Sequence, residues 1–161
     1  MNGICMNIID LEEAKMSNEK HYRALEKMYA SAPCNVYYAP SMRISHGTAE
    51  LVIPIQKKFF HSAGATHGSV YFKALDDSAF FSVNSLVTDV VVLTVSFTVH
   101  ILRPISQGEM MARGNVVFTS DHLFVAESIL VDSSGREIAR GSGNFIKSKI
   151  KLSAETGYTI T

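Results

Sequence analysis

The stretch His61-Ser-Ala-Gly64-Ala-Thr-His67-Gly68-Ser69 runs straight into Val70-Tyr-Phe-Lys-Ala-Leu-Asp76-Asp77. The first part reads as a glycine-bearing loop and the second as the opening turns of an apolar helix. A helix N-terminus presents unpaired backbone N–H groups and a partial positive charge to whatever lies in front of it. An acid carried along an apolar helix is costly unless it is paired or used. Together these residues suggest an electrophile polariser at Gly68 and a base further along the helix.

The adjacent acids are not equivalent. On a helix Asp76 shares its face with Phe72, Ala79, Phe80 and Val83, whereas Asp77 has Lys73 four residues before it. An ion pair accounts for Asp77. Burial of Asp76 is expected to raise its proton affinity into the range of a general base, unless it merely hydrogen-bonds a backbone group. Gly68 and Asp76 are also eight residues apart, roughly 12 Å along an ideal helix. One carbonyl group cannot touch both within a single chain. Either the two do different jobs, or a site combines Gly68 of one subunit with Asp76 of another, which predicts an obligate homodimer. The same distance disfavours a metal held by His61, His67 and Asp76, and no metal is expected.

The elements that must position these residues follow from periodicity. Residues 17–31 have Tyr22, Leu25, Met28, Tyr29 and Ala32 at helical spacing, with Ser17 or Asn18 as a candidate cap and Pro33 as a stop. Residues 42–46 and 48–55 read as strands about Gly47, and 56–66 as a loop. Residues 67–84 are apolar nearly all round, the mark of a buried helix. Four strands follow, at 89–101, 109–119, 123–131 and 137–147, with turns at Pro104 to Gly108, Ser120-Asp121-His122 and Ser133 to Arg136. In the first of these, Val95, Phe97, Val99 and Ile101 are expected on one face, and Thr94, Ser96, Thr98 and His100 on the other. A sheet of this kind must curl around its helix to bury it, an α+β layout that points to the hotdog fold with an extra N-terminal helix. The expected organisation is a flexible segment over 1–16, one domain over 17–147, and a loosely ordered tail over 148–161.

Composition narrows the function. The chain has 161 residues, with 15 basic and 15 acidic ones, so no charge excess argues for nucleic acid or an anionic membrane. Cys5 and Cys34 are too few for a disulfide framework and suit free thiols. The start, Met1 to Ile9, lacks a basic n-region and runs into Asp10, Glu12 and Glu13. With no apolar run long enough for a bilayer, a cytoplasmic protein is expected.

The chain resembles the hotdog-fold thioesterases of the phenylacetic-acid-degradation (PaaI-like) type. Their pattern is Asn-x-x-Gly-x-x-His-Gly-Gly, followed by a helical acid nine residues after the His. Here it reads His61-x-x-Gly64-x-x-His67-Gly68-Ser69, with Asp76 at that spacing. Thr94 stands where family members place Ser, Thr or His. Arg103-Pro104, Gly108-Glu109 and Ala139-Arg-Gly141-x-Gly143 also match, and the likeness covers about residues 40–147. It implies an acyl-CoA substrate and no cofactor beyond the coenzyme A that the substrate carries. It also implies self-association as a homodimer or a dimer of dimers. Gly68 would then polarise the thioester oxygen, with Asp76 as base or nucleophile. Thr94 would orient the water or the carboxylate, and His67 would position the loop or contact the thioester. Gly64 and Ser69 belong to the substrate-binding loop, and Phe72 and Phe80 to an acyl or aryl pocket. Two departures stand out. His61 replaces a neutral amide with a titratable ring, and Asp121 sits at a turn where relatives often carry a basic residue for the phosphates. Arg103, Arg113 and Arg140 are the substitutes to weigh. A hotdog hydratase or dehydratase, and a non-catalytic acyl-CoA-binding module, are the competing readings.

Overall fold

The computed structural model describes residues 8–160. Helix α1 (Ile8–Ser31) and the short α2 (Asn35–Tyr38) lead into the hairpin β1 (Ser41–Ser45) and β2 (Thr48–Pro54). Helix α3 (Gly68–Asn84) follows, and then strands β3 (Val90–Ile101), β4 (Glu109–Thr119), β5 (Phe124–Asp132) and β6 (Glu137–Lys151). The six strands form one antiparallel sheet in the order β1-β2-β4-β5-β6-β3. Among the described residues the long β3 is therefore an edge strand bonded on one side only.

Helix α3 lies against the concave face of this sheet, with Val70, Tyr71, Ala74, Leu75, Ala79 and Val83 almost fully buried. Its closest approach is to β4 at Gly114. A Cβ there would run into the Ser78 carbonyl oxygen, so only glycine lets the helix sit this low on the sheet. Beside it the Ser78 and Ser128 hydroxyls, both buried, meet at 2.7 Å. Gly141 and Gly143 of β6 leave the room that the Phe97 ring from β3 fills. The hotdog architecture expected from the sequence is thus present, with an N-terminal helix packed on its rim.

Three expectations need correction. The helix expected over 17–31 begins by Ile8, so Ser17 and Asn18 are mid-helix and cap nothing. Residues 1–7, with Cys5, lie outside the described residues, whereas Cys34 is a free, exposed thiol. The tail is held. Strand β6 runs on to Lys151, and the Leu152 N–H bonds the Asp89 carbonyl at 3.1 Å. A turn of 3₁₀ helix (Ala154–Thr156) is capped by Ser153 and stopped by the left-handed Gly157. The Tyr158 hydroxyl then reaches Nδ1 of the buried His21 at 2.7 Å, while His21 Nε2 lies 3.0 Å from the Asn84 carbonyl. Contacts that join positions so far apart leave no local periodicity to read.

Alternation in β3 is the third. Val95, expected on the same face as Phe97, is 60% exposed, and Thr94, expected on the opposite face from Phe97, points with it toward α3. The cause is a bulge. The register runs Thr94 to Phe145 and then Ser96 to Asn144, leaving Val95 unpaired. One extra residue switches the faces.

Candidate active site

The loop before α3 is a tight turn. Phe60 and Thr66 form an isolated bridge, the His61 N–H bonds the Ala65 carbonyl at 3.0 Å, and the Gly64 N–H bonds the His61 carbonyl at 3.0 Å. Gly64 has φ +81°, a left-handed conformation that favours glycine. The Thr66 N–H to the Ile105 carbonyl and the His67 N–H to the Phe59 carbonyl, both 2.9 Å, anchor the loop to the body. His67 is the N-cap of α3, its Nδ1 accepting from the Ser69 N–H at 3.1 Å and lying 2.8 Å from the Ser69 hydroxyl. The Gly68 N–H has no hydrogen-bond acceptor among the described residues.

A cleft of about 280 Å³ opens at this helix end, lined by His61, Thr66, Gly68, Tyr71, Arg103 and the residues between Ile101 and Pro104. His61 Nδ1 accepts from the Ala63 N–H at 3.1 Å, which leaves Nε2 to carry the ring proton in the neutral form. The Thr66 hydroxyl is buried at the cleft without a partner among the described residues. Arg103 donates to the Glu137 carbonyl at 2.6 Å and has no carboxylate partner among the described residues. Arg113, by contrast, is paired with Glu50, and Arg140 grips Glu137 at 2.6 and 2.9 Å.

Two turns further on, Asp76 faces a separate groove of about 820 Å³. The Thr94 hydroxyl donates to its Oδ1 at 3.1 Å. Burial pushes the Asp76 carboxyl up to about 6; the neighbouring Asp77 charge adds to the rise, and the Thr94 bond and the Lys73 ammonium oppose it. Asp77 has a structural role, as its Lys73 partner implied: Lys73 Nζ lies 2.6 Å from its Oδ2, and the Tyr29 hydroxyl donates to the same oxygen at 2.7 Å. The Lys73 ammonium also stacks over the Tyr29 and Tyr38 rings at 5.3 and 5.1 Å. This network clamps α1 onto α3 beside Asp76.

The sequence candidates therefore fall into two groups. His61, Gly68 and the helix cap gather at one end of α3, while Asp76, Thr94 and Phe80 gather in the groove. Gly64 and Ser69 serve the loop. Phe72 lines neither cavity; it is 44% exposed and meets the Phe97 ring edge-on at 5.9 Å, next to β3. Sequence reading missed the groove wall formed by Met28 to Asn35 and by Ile150 to Gly157. A readable signal existed for the second part: Ser153, Glu155 and Gly157 are a cap, a first-turn acid and a stop.

A family model, the thioesterase superfamily, matches residues 63–139. No curated protein matches the chain in sequence. Among solved structures the fold is similar to the PaaI protein of the phenylacetic acid degradation operon of E. coli, at TM-score 0.77 and 16% identity, over 84% of this chain and 99% of that one. It is also similar to a thioesterase family protein from Silicibacter pomeroyi (TM-score 0.68, 24% identity, 76% and 96% of the chains). A thioesterase from Haemophilus influenzae is a third (0.68, 12%, 74% and 85%). Residues 63–139, from the loop before the buried helix into the last strand, thus match the thioesterase superfamily model, and the chain has the hotdog fold of these structures.

Proposed function

We propose that the protein hydrolyses acyl-CoA thioesters in a homodimer, each site joining Asp76 of one subunit to Gly68 of the other. The observation that carries this reading is Asp76. It is a carboxylate in an apolar groove, held near 6, with one hydroxyl donor and no cation bonded to it. Such a group takes a proton readily near neutral pH and still ionises there.

In the water route, Asp76 accepts a proton from a water oriented with Thr94 as the oxygen adds to the thioester carbon. The carbonyl oxygen becomes an oxyanion bonded to the Gly68 N–H of the partner subunit. Collapse breaks the C–S bond, and the thiolate takes the proton from Asp76, giving free acid and coenzyme A. In the alternative route the Asp76 carboxylate itself attacks the thioester carbon and the C–S bond breaks to expel the coenzyme A thiolate; water then cleaves the resulting anhydride into the free acid and the Asp76 carboxylate, its protons passing to the thiolate and to solvent. With its Nδ1 accepting from the Ala63 N–H, the His61 ring offers an Nε2–H donor in the Gly68 cleft, which replaces the amide N–H of the family motif. Arg103, on the same cleft and with no carboxylate within ion-pair distance among the described residues, is the arginine suited to a phosphate of the nucleotide.

Dimerisation has its own support. The twelve-residue β3 is an open edge with Leu93, Val95 and Ile101 44–60% exposed. A long apolar edge is otherwise an aggregation hazard. A two-fold pairing there would lay two α3 helices side by side. The test is a panel of acyl-CoA thioesters followed with a thiol-trapping dye, with light scattering on the eluting protein. Turnover by a dimer is expected. A chain that is monomeric at micromolar concentration removes the shared site, and a dimer that binds acyl-CoA but releases no thiol is a binding module.

A further inference from the structure

The groove at Asp76, about 820 Å³, is larger and more apolar than a thioester carbonyl alone requires. Beyond Thr94 it is lined by Met28, Phe80, Phe81, Leu93 and Ile150. Its far wall comes from two stretches outside residues 63–139: the end of α1 with the turn into α2, and the segment from Ile150 to Gly157. Both are fixed in place. A Cβ on Gly157 would lie 2.6 Å from the Ser31 hydroxyl, so the C-terminal turn sits directly on α1. The buried His21–Tyr158 bond, 2.7 Å long, locks it from behind.

The charges of the groove define what it accepts. Lys73 and Asp77 neutralise each other at 2.6 Å, and Lys73 is the only cation lining the groove among the described residues. Glu155, exposed on the rim, repels one. Apolar lining with these partners suits a neutral, apolar chain.

We propose that this groove is the acyl subsite, and that the end of α1 and the segment 150–157 set selectivity for long, uncharged acyl groups over short or dicarboxylic ones. The proposal rests on the thioesterase reading only for its reaction; the subsite itself is a binding claim.

The test uses straight-chain acyl-CoAs from acetyl upward, together with succinyl-CoA. Each buried methylene is expected to raise kcat/KM about fourfold until the groove is full. Ala154→Trp and Cys34→Trp narrow the groove from its two walls. Each is expected to lower the dodecanoyl-to-butanoyl ratio of kcat/KM about tenfold or more, chiefly through KM. Val36→Trp, at a residue 86% exposed and off the groove, leaves that ratio as it was. An unchanged ratio in both wall variants, with catalysis intact, overturns the subsite and leaves the thioesterase reading standing. A dodecyl-CoA thioether, which cannot be hydrolysed, gives a readout independent of turnover. In a Cys5→Ser protein it is expected to slow maleimide labelling of the exposed Cys34 at least fivefold. Labelling at the same rate with and without the thioether overturns the proposal even if no thioester is cleaved.

Discussion

Helix α3 carries two regions built on opposite principles. At its first turn, where Val70 and Tyr71 are buried and His67 and Ser69 are exposed, helix geometry leaves over a backbone N–H. The turn around Asp76 is apolar, and its useful group is a side chain made more basic by burial. A donor for an oxyanion works best rigid and unpaired; a base works best partly desolvated. One helix supplies both, but roughly 12 Å apart along its axis. The separation explains why the two line different cavities; under the proposed function a second copy is what would bring them to one carbonyl.

The largest effect that can break this comparison is expected at Asp76. Asp76→Ala should lower kcat about 10³-fold, within the range of general-base removal. Asp77→Asn should lower it less than tenfold, because Asp77 holds Lys73 and Tyr29 rather than the reacting atoms. Steady-state thiol release from the two variants decides, and the reverse order would move the base one residue along the helix.

Gly68 comes next. Proline is well suited to the first position of a helix, and His67, at φ −64° and ψ 144°, already has the backbone that a residue before proline needs. Gly68→Pro therefore deletes the N–H while keeping the helix. It should cost about 10²-fold or more in kcat, whereas Gly68→Ala, whose Cβ meets only the flexible end of Ile101 at 3.1 Å, should cost little. Refolding Gly68→Pro together with Asp76→Ala in equal amounts adds a sharper measurement. Half the dimers would then be mixed, each with one intact site, so about a quarter of wild-type activity should return. No recovery would mean that both groups act within one chain.

Much of this division was legible in the sequence. The loop, the buried helix and the choice of Asp76 over Asp77 all follow from spacings of three to nine residues, the range over which a helix or turn repeats. Thr94 lies on the face opposite to the one that simple alternation predicts. The alternation of β3 was carried through Val95, and a bulge is a property of pairing with β6 that neighbouring side chains do not announce. The groove wall was hidden for a related reason. His21 and Tyr158 meet across most of the chain, and a lone histidine on an amphipathic helix gives no hint of its partner.

Stability offers a smaller and opposite effect. The Asp76 carboxyl is raised from its ordinary 3.8 to about 6 in the folded chain. Between those values the folded state holds a proton that the unfolded state has lost. Its contribution is therefore full below 3.8 and disappears as pH rises through 6. Asp76→Asn should be more stable than wild type at pH 7.5, by on the order of 2 kcal/mol after allowance for residual solvent, and about equal to it at pH 4. Urea unfolding at fixed protein concentration measures the difference. A destabilised Asp76→Asn at pH 7.5 would show that the carboxylate is held by more than Thr94.

The smallest expected effect tests the bond that the bulge makes possible. Thr94 donates to the ionised form of Asp76 and so lowers its proton affinity, against the rise caused by burial. Thr94→Val keeps the shape of the side chain and removes the hydroxyl. The acid limb of kcat/KM, expected near pH 6 in wild type, should move upward, and the plateau should fall a few-fold. Thr94→Ser should restore both. A limb that stays in place while the plateau falls would mean that Thr94 touches the water and not the base. The bulge at Val95 would then serve to position the nucleophile instead of tuning the carboxylate.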